Sequence, residues 1–206
     1  MQGFRLKIIR HGKTEANSSG IYAGITDIDL TQEGKNEIIL KKEKYDYGDV
    51  QKVYSSPLVR CLQTAEILFP NKAAHKVVEM QEMNFGSFEG KSTEELVLVP
   101  EFKDWLKGGM DNTPPFGESM RSVLERNFEG FDFILRDMMG QGITSAVLVT
   151  HNGILMNSLA CFGLPKLKPM EFSSEFGEGY ELLFTTQMWH RSNAFEILGK
   201  YPYNKE

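Results

Sequence analysis

The chain has 206 residues, of which 41% are hydrophobic and 25% are charged, and its formal net charge at pH 7 is −5. These values are typical of one globular domain. The acidic balance argues against binding to nucleic acid or to a membrane surface, because both attract basic faces. No apolar stretch approaches the length of a transmembrane helix, and the charged N-terminus does not resemble a signal peptide. We therefore expect a soluble, cytoplasmic protein.

The two cysteines, Cys61 and Cys161, fall in segments whose patterns predict helices. Their spacing does not indicate a metal site, and a single pair is weak evidence for a disulfide framework. We predict that both are buried thiols of a cytosolic protein. The sequence leaves the oligomeric state open, including a homodimer.

Short apolar runs bounded by polar residues, Gly or Pro predict the strands of a sheet. They lie at 4–9, 50–54, 75–80, 146–150, 180–185 and 194–198. The last two come late in the chain and are expected at an edge of the sheet. Helical segments alternate with these runs, which indicates an α/β layered fold.

The first long helix is predicted to begin after Thr31, a residue type that caps helix N-termini. Gly34 in its first turn lowers helix propensity, which predicts close packing against the sheet. The apolar residues expected to turn toward the core are Ile38, Ile39 and Leu40.

Three further helices follow. One is predicted to begin with Ser56 as N-cap and Pro57 as its first residue. The others cover 118–139 and 152–161. Between them, the segment 91–116 is interrupted by Pro and Gly, which predicts an insertion with a short helix of its own.

A histidine directly follows each of two predicted buried strands. His11 comes after the first strand and His151 after another, and each is followed within two residues by Gly. Because parallel strands end at the same edge of a sheet, the two imidazoles could converge. Arg10 and Arg60 lie at corresponding exits, and such a group of cations suits a dianion such as a phosphoryl group. Alternatively, each His is an ordinary hydrogen-bonded residue and Arg60 a solvated surface cation.

Five blocks of residues occur in a fixed order along the chain. They are Arg10-His11-Gly12-Lys13-Thr14 with Asn17, Ser55-Ser56-Pro57 with Arg60 and Gln63-Thr64-Ala65, Glu82 with Phe85-Gly86 and Glu89-Gly90, Gly117-Glu118-Ser119, and His151-Asn152-Gly153. With these blocks the chain resembles the histidine phosphatase superfamily, also called phosphoglycerate mutase-like, over residues 5 to about 155. The resemblance implies one domain over 1–206, built as a three-layer α/β sandwich. Its mostly parallel central sheet would be flanked by helices, with a short cap insertion at about 91–120.

The resemblance also implies roles for the matched residues. His11 is similar to the nucleophile that takes the phosphoryl group on nitrogen, and nearby cations favour its neutral form. Arg10, Arg60 and His151 are similar to the clamp that stabilises charge on the phosphoryl oxygens. Further oxygen contacts are implied for Thr14, Asn17 and the backbone amides at Ala23, Gly24 and Asn152.

Glu82 is similar to the proton donor of the family, which later acts as the base for water. Glu89 is the rival carboxylate, but it does not match the donor position. No metal or other cofactor is implied, and the sequence contains no ligand set spaced for one. Gln81, Lys13 and Phe88 depart from the Leu, Glu and Trp that the family often has. Phe88 is still an apolar side chain that can fill the space of the Trp. Lys13 is either a cation at the mouth of the site or a solvated surface residue.

Residues 82–90 resemble the broad-specificity and α-ribazole phosphatase branch most. The segment 91–116 is shorter than the insertion of the mutase branch. These features predict a metal-independent phosphomonoester hydrolase that acts on a small phosphorylated metabolite and releases phosphate through a phosphohistidine. Two alternatives stay open: a cofactor-dependent phosphoglycerate mutase and a non-catalytic binder of phosphorylated ligands. The intact His11, Glu82 and His151 count against the binder, which needs neither a nucleophile nor a proton donor.

Overall fold

The computed structural model describes residues 3–205 and contains one large sheet and one small one. The strands are β1 (Gly3–Arg10), β2 (Tyr45–Asp46), β3 (Lys52–Ser55), β4 (Ala74–Lys76), β5 (Ser145–Thr150), β6 (Gly163–Leu164), β7 (Gly179–Thr185), β8 (Phe195–Tyr201) and β9 (Tyr203–Asn204). The large sheet has the order β4-β3-β5-β1-β7-β8-β6, and β2 pairs with β9. All neighbours from β4 to β1 are parallel, as are β6 and β8, whereas β7 is antiparallel to β1 and β8.

Helices cover both faces of this sheet. They are α1 (Glu15–Ser18), α2 (Gln32–Lys44), α3 (Val59–Leu68), α4 (Thr93–Leu96), α5 (Pro100–Leu106), α6 (Met120–Gly140), α7 (Asn152–Phe162) and α8 (Thr186–Ser192). Residues of α6, α7 and α8 share a buried cluster with one face of the sheet, and residues of α2 and α3 share a cluster with the other. The predicted α/β sandwich with a mostly parallel sheet is therefore confirmed.

Strand β5 explains why the site lies at the ends of the strands. Leu148 packs in the cluster that contains Phe131 of α6, and Val149 packs in the cluster that contains Cys61 of α3. A strand covered on both faces carries an uninterrupted apolar run, as this one does. Since both faces are covered, only the strand ends are open to a ligand.

Two strand predictions are wrong in part. The strand expected at 75–80 stops at Lys76, because the chain turns into a 3₁₀ helix at Val78–Met80 that buries Met80. The sequence places both late strands at an edge, but β7 lies between β1 and β8, and β8 lies between β7 and β6. The edge position belongs to the short strand β6.

Two helix predictions are also wrong in part. Helix α3 begins at Val59 with Leu58 as N-cap. The Ser56 hydroxyl bonds to a histidine and accepts from the Leu58 N–H at 3.4 Å, which lies before the first helical residue. In α2, Ile38 is buried, but Ile39 and Leu40 are 43% and 63% exposed. Three successive residues of a helix point in directions about 100° apart, so they cannot all face the core.

The Gly34 position is packed as closely as predicted, but not against the sheet. A Cβ at this position would lie 2.2 Å from the carbonyl oxygen of Lys13, in the loop after β1. The first turn of α2 therefore fits against the loop that follows β1.

The segment between the 3₁₀ helix Gly86–Phe88 and α6 is the one predicted as a cap insertion, and we call it the cap. It holds two short helices, α4 and α5, where the sequence predicted one. Phe88, Leu96 and Phe102 form its own buried cluster, and half-buried Tyr22 and Trp105 pack against it. Trp105 is thus a packing residue, and Phe88 is the expected apolar filler.

Cys61 is buried, as predicted, but Cys161 near the end of α7 is exposed. The prediction for Cys161 is wrong because the buried face of α7 is made by Ile154, Leu155, Leu159 and Phe162. Within residues 3–205, no helix combines the length and apolar character needed to cross a bilayer.

Candidate active site

The ends of β1 and β5 bring the two predicted histidines together. Arg10 is in register with Thr150, and the His11 N–H donates to the Thr150 carbonyl oxygen at 2.9 Å. The rings of His11 and His151 are therefore neighbours, with centroids 5.1 Å apart and planes at 63°. The convergence expected from the sequence is present, and both side chains are buried.

The ring of His11 is held so that one nitrogen remains free for chemistry. Its Nδ1 lies 2.6 Å from the Gly12 carbonyl oxygen, which can only accept, so Nδ1 carries the proton and Nε2 carries the lone pair. The Gly12 N–H in turn donates to Thr64 Oγ1 at 2.9 Å. Burial first, then the charges of Arg60 and Arg10, lower the pKa of His11 to about 3. His11 is thus neutral near pH 7, the form that a nucleophile requires.

His151 is enclosed by α3 and by the loop that leads into it. Arg60 Nε donates to His151 Nδ1 at 3.3 Å, which leaves the proton on Nε2, 2.8 Å from Ser56 Oγ. Cys61 Sγ lies 3.5 Å from the same Nε2. Burial, with the neighbouring His11 and Arg60, holds the pKa of His151 well below its usual range. Ser56 is therefore a site residue that the sequence interpretation assigned to a helix cap.

Arg60 is 2% exposed, so its interpretation as a solvated surface cation is wrong. Its Nη2 donates to the Gly24 carbonyl oxygen at 2.7 Å and its Nη1 to that of Thr26 at 2.9 Å. It therefore fixes the loop that holds Ala23 and Gly24. Gly24 must be a glycine, since a Cβ there would lie 1.9 Å from the carbonyl oxygen of Met83.

Arg10 is positioned by a loop after α7 that sequence reasoning missed. Its Nη1 donates to the Ser174 carbonyl oxygen at 2.8 Å, and its guanidinium carbon lies 4.0 Å from the ring centroid of Phe176. Asn152 fixes the same loop by accepting from the Ser174 N–H at 3.1 Å. Within residues 3–205, Arg10 Nε is buried and has no hydrogen-bond partner. A buried, unpartnered cationic donor at this position suits an oxyanion.

Thr14 and Asn17 lie at the first turn of α1 and bond to each other. The Thr14 N–H and hydroxyl both donate to Asn17 Oδ1, at 3.0 and 2.9 Å. Thr14 is buried and Asn17 is exposed. Lys13 beside them forms an ion pair with Glu33 at 3.2 Å on the surface.

Glu82 lies on the segment before the cap, with 9% of its surface exposed. Its Oε1 accepts from the Met83 N–H at 2.9 Å, and its carboxyl group contacts the first turn of α7 at Gly153. Burial raises the pKa of Glu82, against the opposing effects of the Met83 and Gly153 N–H groups and of Arg60. The raised pKa favours the protonated form, as a proton donor needs.

Glu89, the rival carboxylate, has a different function in the structure. Its carboxylate accepts from the N–H groups of Ile25, Thr26 and Phe85, at 2.9, 2.8 and 3.1 Å. It is committed to holding two loops together and is not available as an acid. Groups of three or more His, Cys, Asp or Glu side chains able to hold a metal ion do not occur in the part of the chain that the structure describes.

The chain matches a family model described as "Histidine phosphatase superfamily (branch 1)" over residues 6–190. It is 29% identical over 161 residues to phosphoserine phosphatase 1 of Hydrogenobacter thermophilus, covering 76% of this chain and 74% of that protein. It is 26% identical over 155 residues to the adenosylcobalamin/alpha-ribazole phosphatase of Salmonella typhimurium, covering 73% and 75%.

Among solved structures, a phosphoglycerate mutase from Bacillus anthracis superimposes with a TM-score of 0.75 at 17% identity, covering 96% of this chain and 92% of that one. At this identity the likeness shows the fold alone. The family model spans most of the chain and includes both strand-end histidines. The chain therefore belongs to the histidine phosphatase superfamily, branch 1, and its enzyme class is that of a phosphatase.

Proposed function

We propose that the protein is a metal-independent phosphomonoester hydrolase that works through a phosphohistidine on His11 and acts on a small phosphorylated metabolite. The observation that carries the proposal is the contact of His11 Nδ1 with the Gly12 carbonyl oxygen, which leaves the lone pair of the neutral ring on Nε2. Hydrogen bonds to Nε2 are absent within residues 3–205. The buried Nε of Arg10, which has no hydrogen-bond partner among the described residues, supports the proposal as an oxyanion contact. Relatives named for phosphoserine and α-ribazole substrates support a small phosphorylated metabolite as the substrate class.

In the first half of the reaction, the lone pair of His11 Nε2 attacks phosphorus while the ester P–O bond breaks. The leaving oxygen takes the proton of Glu82, so an alcohol departs and a phosphohistidine forms. Arg10 and Arg60, with His151 beside them, stabilise the charge that develops on the phosphoryl oxygens. For phosphoryl transfer, such positioning and charge stabilisation supply most of the catalysis.

In the second half, the Glu82 carboxylate takes a proton from water as the water oxygen attacks phosphorus. The P–N bond breaks, phosphate leaves, and His11 returns to its neutral form with the lone pair on Nε2. Glu82 is then protonated again, so the cycle closes without a metal ion.

The first prediction tests the nucleophile. We expect the wild-type protein to release phosphate from p-nitrophenyl phosphate in the presence of EDTA, and His11→Asn to lose at least ~10³-fold in kcat/KM. The matched control is His190→Asn, because His190 is an exposed residue of α8. Turnover that needs added metal, or that survives His11→Asn, would contradict the proposal.

The alternatives are separated by two further measurements. Incubation of 3-phosphoglycerate with a bisphosphoglycerate primer tests for a mutase, for which 2-phosphoglycerate would accumulate instead of free phosphate. Rapid quenching of the protein with a ³²P-labelled phosphomonoester tests for a pure binder, which would retain ligand but trap no phosphohistidine. The proposal predicts free phosphate and a trapped phosphohistidine that is absent in His11→Asn.

A further inference from the structure

The segment that carries Glu82 has no regular secondary structure of its own. It connects the 3₁₀ helix Val78–Met80 to the 3₁₀ helix Gly86–Phe88, and residues 81–85 belong to no strand. The position of the Glu82 backbone is therefore not set by a ladder of strand hydrogen bonds. Other groups must hold it.

Arg126 of α6 supplies most of these contacts from one guanidinium group. Its Nη1 donates to the carbonyl oxygens of Glu79 and Gln81, at 2.6 and 2.8 Å, and its Nη2 donates to that of Glu82 at 3.1 Å. The three carbonyls belong to the stretch that ends at the proton donor itself. The side chain is 15% exposed, so water competes little for these bonds.

Glu118 completes the arrangement from the other side. Its carboxylate accepts from Arg126 Nε at 2.9 Å and from Nη2 at 3.1 Å, and also from the Asn84 N–H at 2.8 Å. The Glu118 N–H donates in return to the Asn84 carbonyl oxygen at 2.9 Å. All five N–H groups of Arg126 are thus used, and the pair holds the chain on both sides of Glu82.

We propose that Arg126 and Glu118 form a positioning pair that fixes the proton donor Glu82 for transfer to the leaving group. This proposal rests on the proposed function. Proton transfer needs a heavy-atom distance of about 2.6–3.2 Å, and a displacement of about 1 Å can cost ~10²-fold in rate. Within the described residues the pair makes no hydrogen bond to His11, so its direct contacts reach the site through the Glu82 segment. The charge of Arg126 also opposes the raised pKa of Glu82 and helps to lower the pKa of His151, an effect that Arg126→Lys retains and Arg126→Met removes. The pair also gives the Gly117-Glu118-Ser119 block a function that its sequence alone does not disclose.

The test compares two substrates of similar shape that differ in how much they need a proton. The p-nitrophenolate ion leaves readily, whereas phenolate, with a conjugate-acid pKa of about 10 like that of Tyr, depends more on the acid. For Arg126→Met we expect kcat/KM to fall ~30-fold with phenyl phosphate and no more than ~3-fold with p-nitrophenyl phosphate. Arg126→Lys should show the same selectivity, because three donors on one nitrogen cannot replace the planar fork.

A cycle with Glu82→Gln decides whether Arg126 acts through Glu82. If it does, adding Arg126→Met to Glu82→Gln changes the ratio of the two kcat/KM values by less than ~2-fold, because the acid is already missing. The matched control is Arg136→Met on the same helix, whose guanidinium is 73% exposed and pairs with Asp132. It should leave the ratio unchanged.

Equal losses of kcat/KM with both substrates in Arg126→Met would overturn the positioning role. A wild-type ratio of the two kcat/KM values in Arg126→Lys would do the same. If Arg126→Met does not fold, Glu118→Gln tests the positioning pair in its place with the same two substrates. Thermal melting shows whether each variant is folded. If Glu82→Gln itself shows no selectivity, Glu82 is not the donor and the proposed function fails at that residue. If Glu82→Gln is selective but the Arg126 variants are not, only the positioning pair fails.

Discussion

On the proposed mechanism the site has a nucleophile half, with His11 and His151, and a donor half, with Glu82. The two halves are built in different ways. His11 and His151 follow the last residues of two adjacent parallel strands, so the sheet ladder sets their backbones. Glu82 lies on an irregular segment that is held by two side chains, Arg126 of α6 and Glu118 just before α6. A ladder distributes its restraint over many backbone bonds, whereas the donor segment depends on one arginine and one carboxylate.

This difference separates two kinds of damage. If the proposed mechanism holds, a change in the nucleophile half removes a group that every substrate needs, since each must have its phosphoryl group bound and attacked. A change in the donor half then removes a proton on which a poor leaving group depends most. The ratio of kcat/KM for phenyl and p-nitrophenyl phosphate therefore reports which half a substitution has affected.

Among substitutions that leave His11 in place, the largest effect is expected for Arg10→Gln in the nucleophile half. The glutamine removes the charge and the buried Nε that we propose as an oxyanion contact. This Nε has no hydrogen-bond partner in the part of the chain that the structure describes. We expect kcat/KM to fall by ~10²–10³-fold, which is the usual cost of one lost oxyanion donor. Steady-state kinetics should show the same fall for both aryl phosphates. A loss of kcat/KM confined to phenyl phosphate would contradict the assignment of Arg10 to the nucleophile half.

The nucleophile half was largely predictable because its signal is local. Arg10, His11 and His151 follow apolar runs that are easily recognised as strands, and parallel strands end together. Their partners were not predictable. Ser56 has the sequence context of a helix cap, but its hydroxyl bonds to His151, which lies 95 residues further along the chain. Phe176 lies in a loop with no motif.

The donor half was predictable only at Glu82. Arg126 lies 44 residues after Glu82, on the side of a long amphipathic helix where a charged residue is ordinarily assigned to solvent. The cap between them was predicted as an insertion with one short helix. The sequence pattern did not separate its two helices, because each has only one or two turns. Short elements stabilised by a tertiary cluster leave a weak periodic signal.

A smaller and selective effect is expected for Gly153→Ala. The added methyl carbon would lie 2.7 Å from Glu82 Oε1, so the carboxyl group must move. We expect kcat/KM to fall ~10-fold with phenyl phosphate and no more than ~3-fold with p-nitrophenyl phosphate. Because Gly153 is in the first turn of α7, alanine should not lower the melting temperature through helix propensity.

Gly140→Ala is the matched control for this substitution. Gly140 ends α6, and a Cβ there meets no atom within 4 Å in the described part of the chain. It should leave both substrates unaffected. Equal losses for both substrates in Gly153→Ala would mean that the methyl group disturbs the histidines and not the donor.

The smallest effect concerns stability, and it arises from the burial of His11. Its pKa is lowered to about 3 in the folded protein, first by burial and then by the charge of Arg60, whereas the unfolded chain keeps a value near 6.5. Between these two pH values the unfolded chain binds a proton that the folded one excludes, so the free energy of unfolding falls as the pH falls below 6.5. The expected slope is about 1 kcal/mol per pH unit.

In His11→Asn the unfolded chain has no imidazole at position 11 to bind this proton. Its free energy of unfolding should therefore fall less than that of the wild type as the pH is lowered. His151, whose pKa is lowered in the same direction, and Glu82, whose pKa is raised, stay in both proteins, so their contributions largely cancel in the comparison. In urea unfolding at pH 7, 6 and 5, the free energy of unfolding of the variant should therefore rise relative to that of the wild type as the pH falls. A difference that stays constant over this range would mean that His11 takes up its proton in the folded protein at the same pH as in the unfolded chain, so that burial does not keep the ring neutral below pH 6.5.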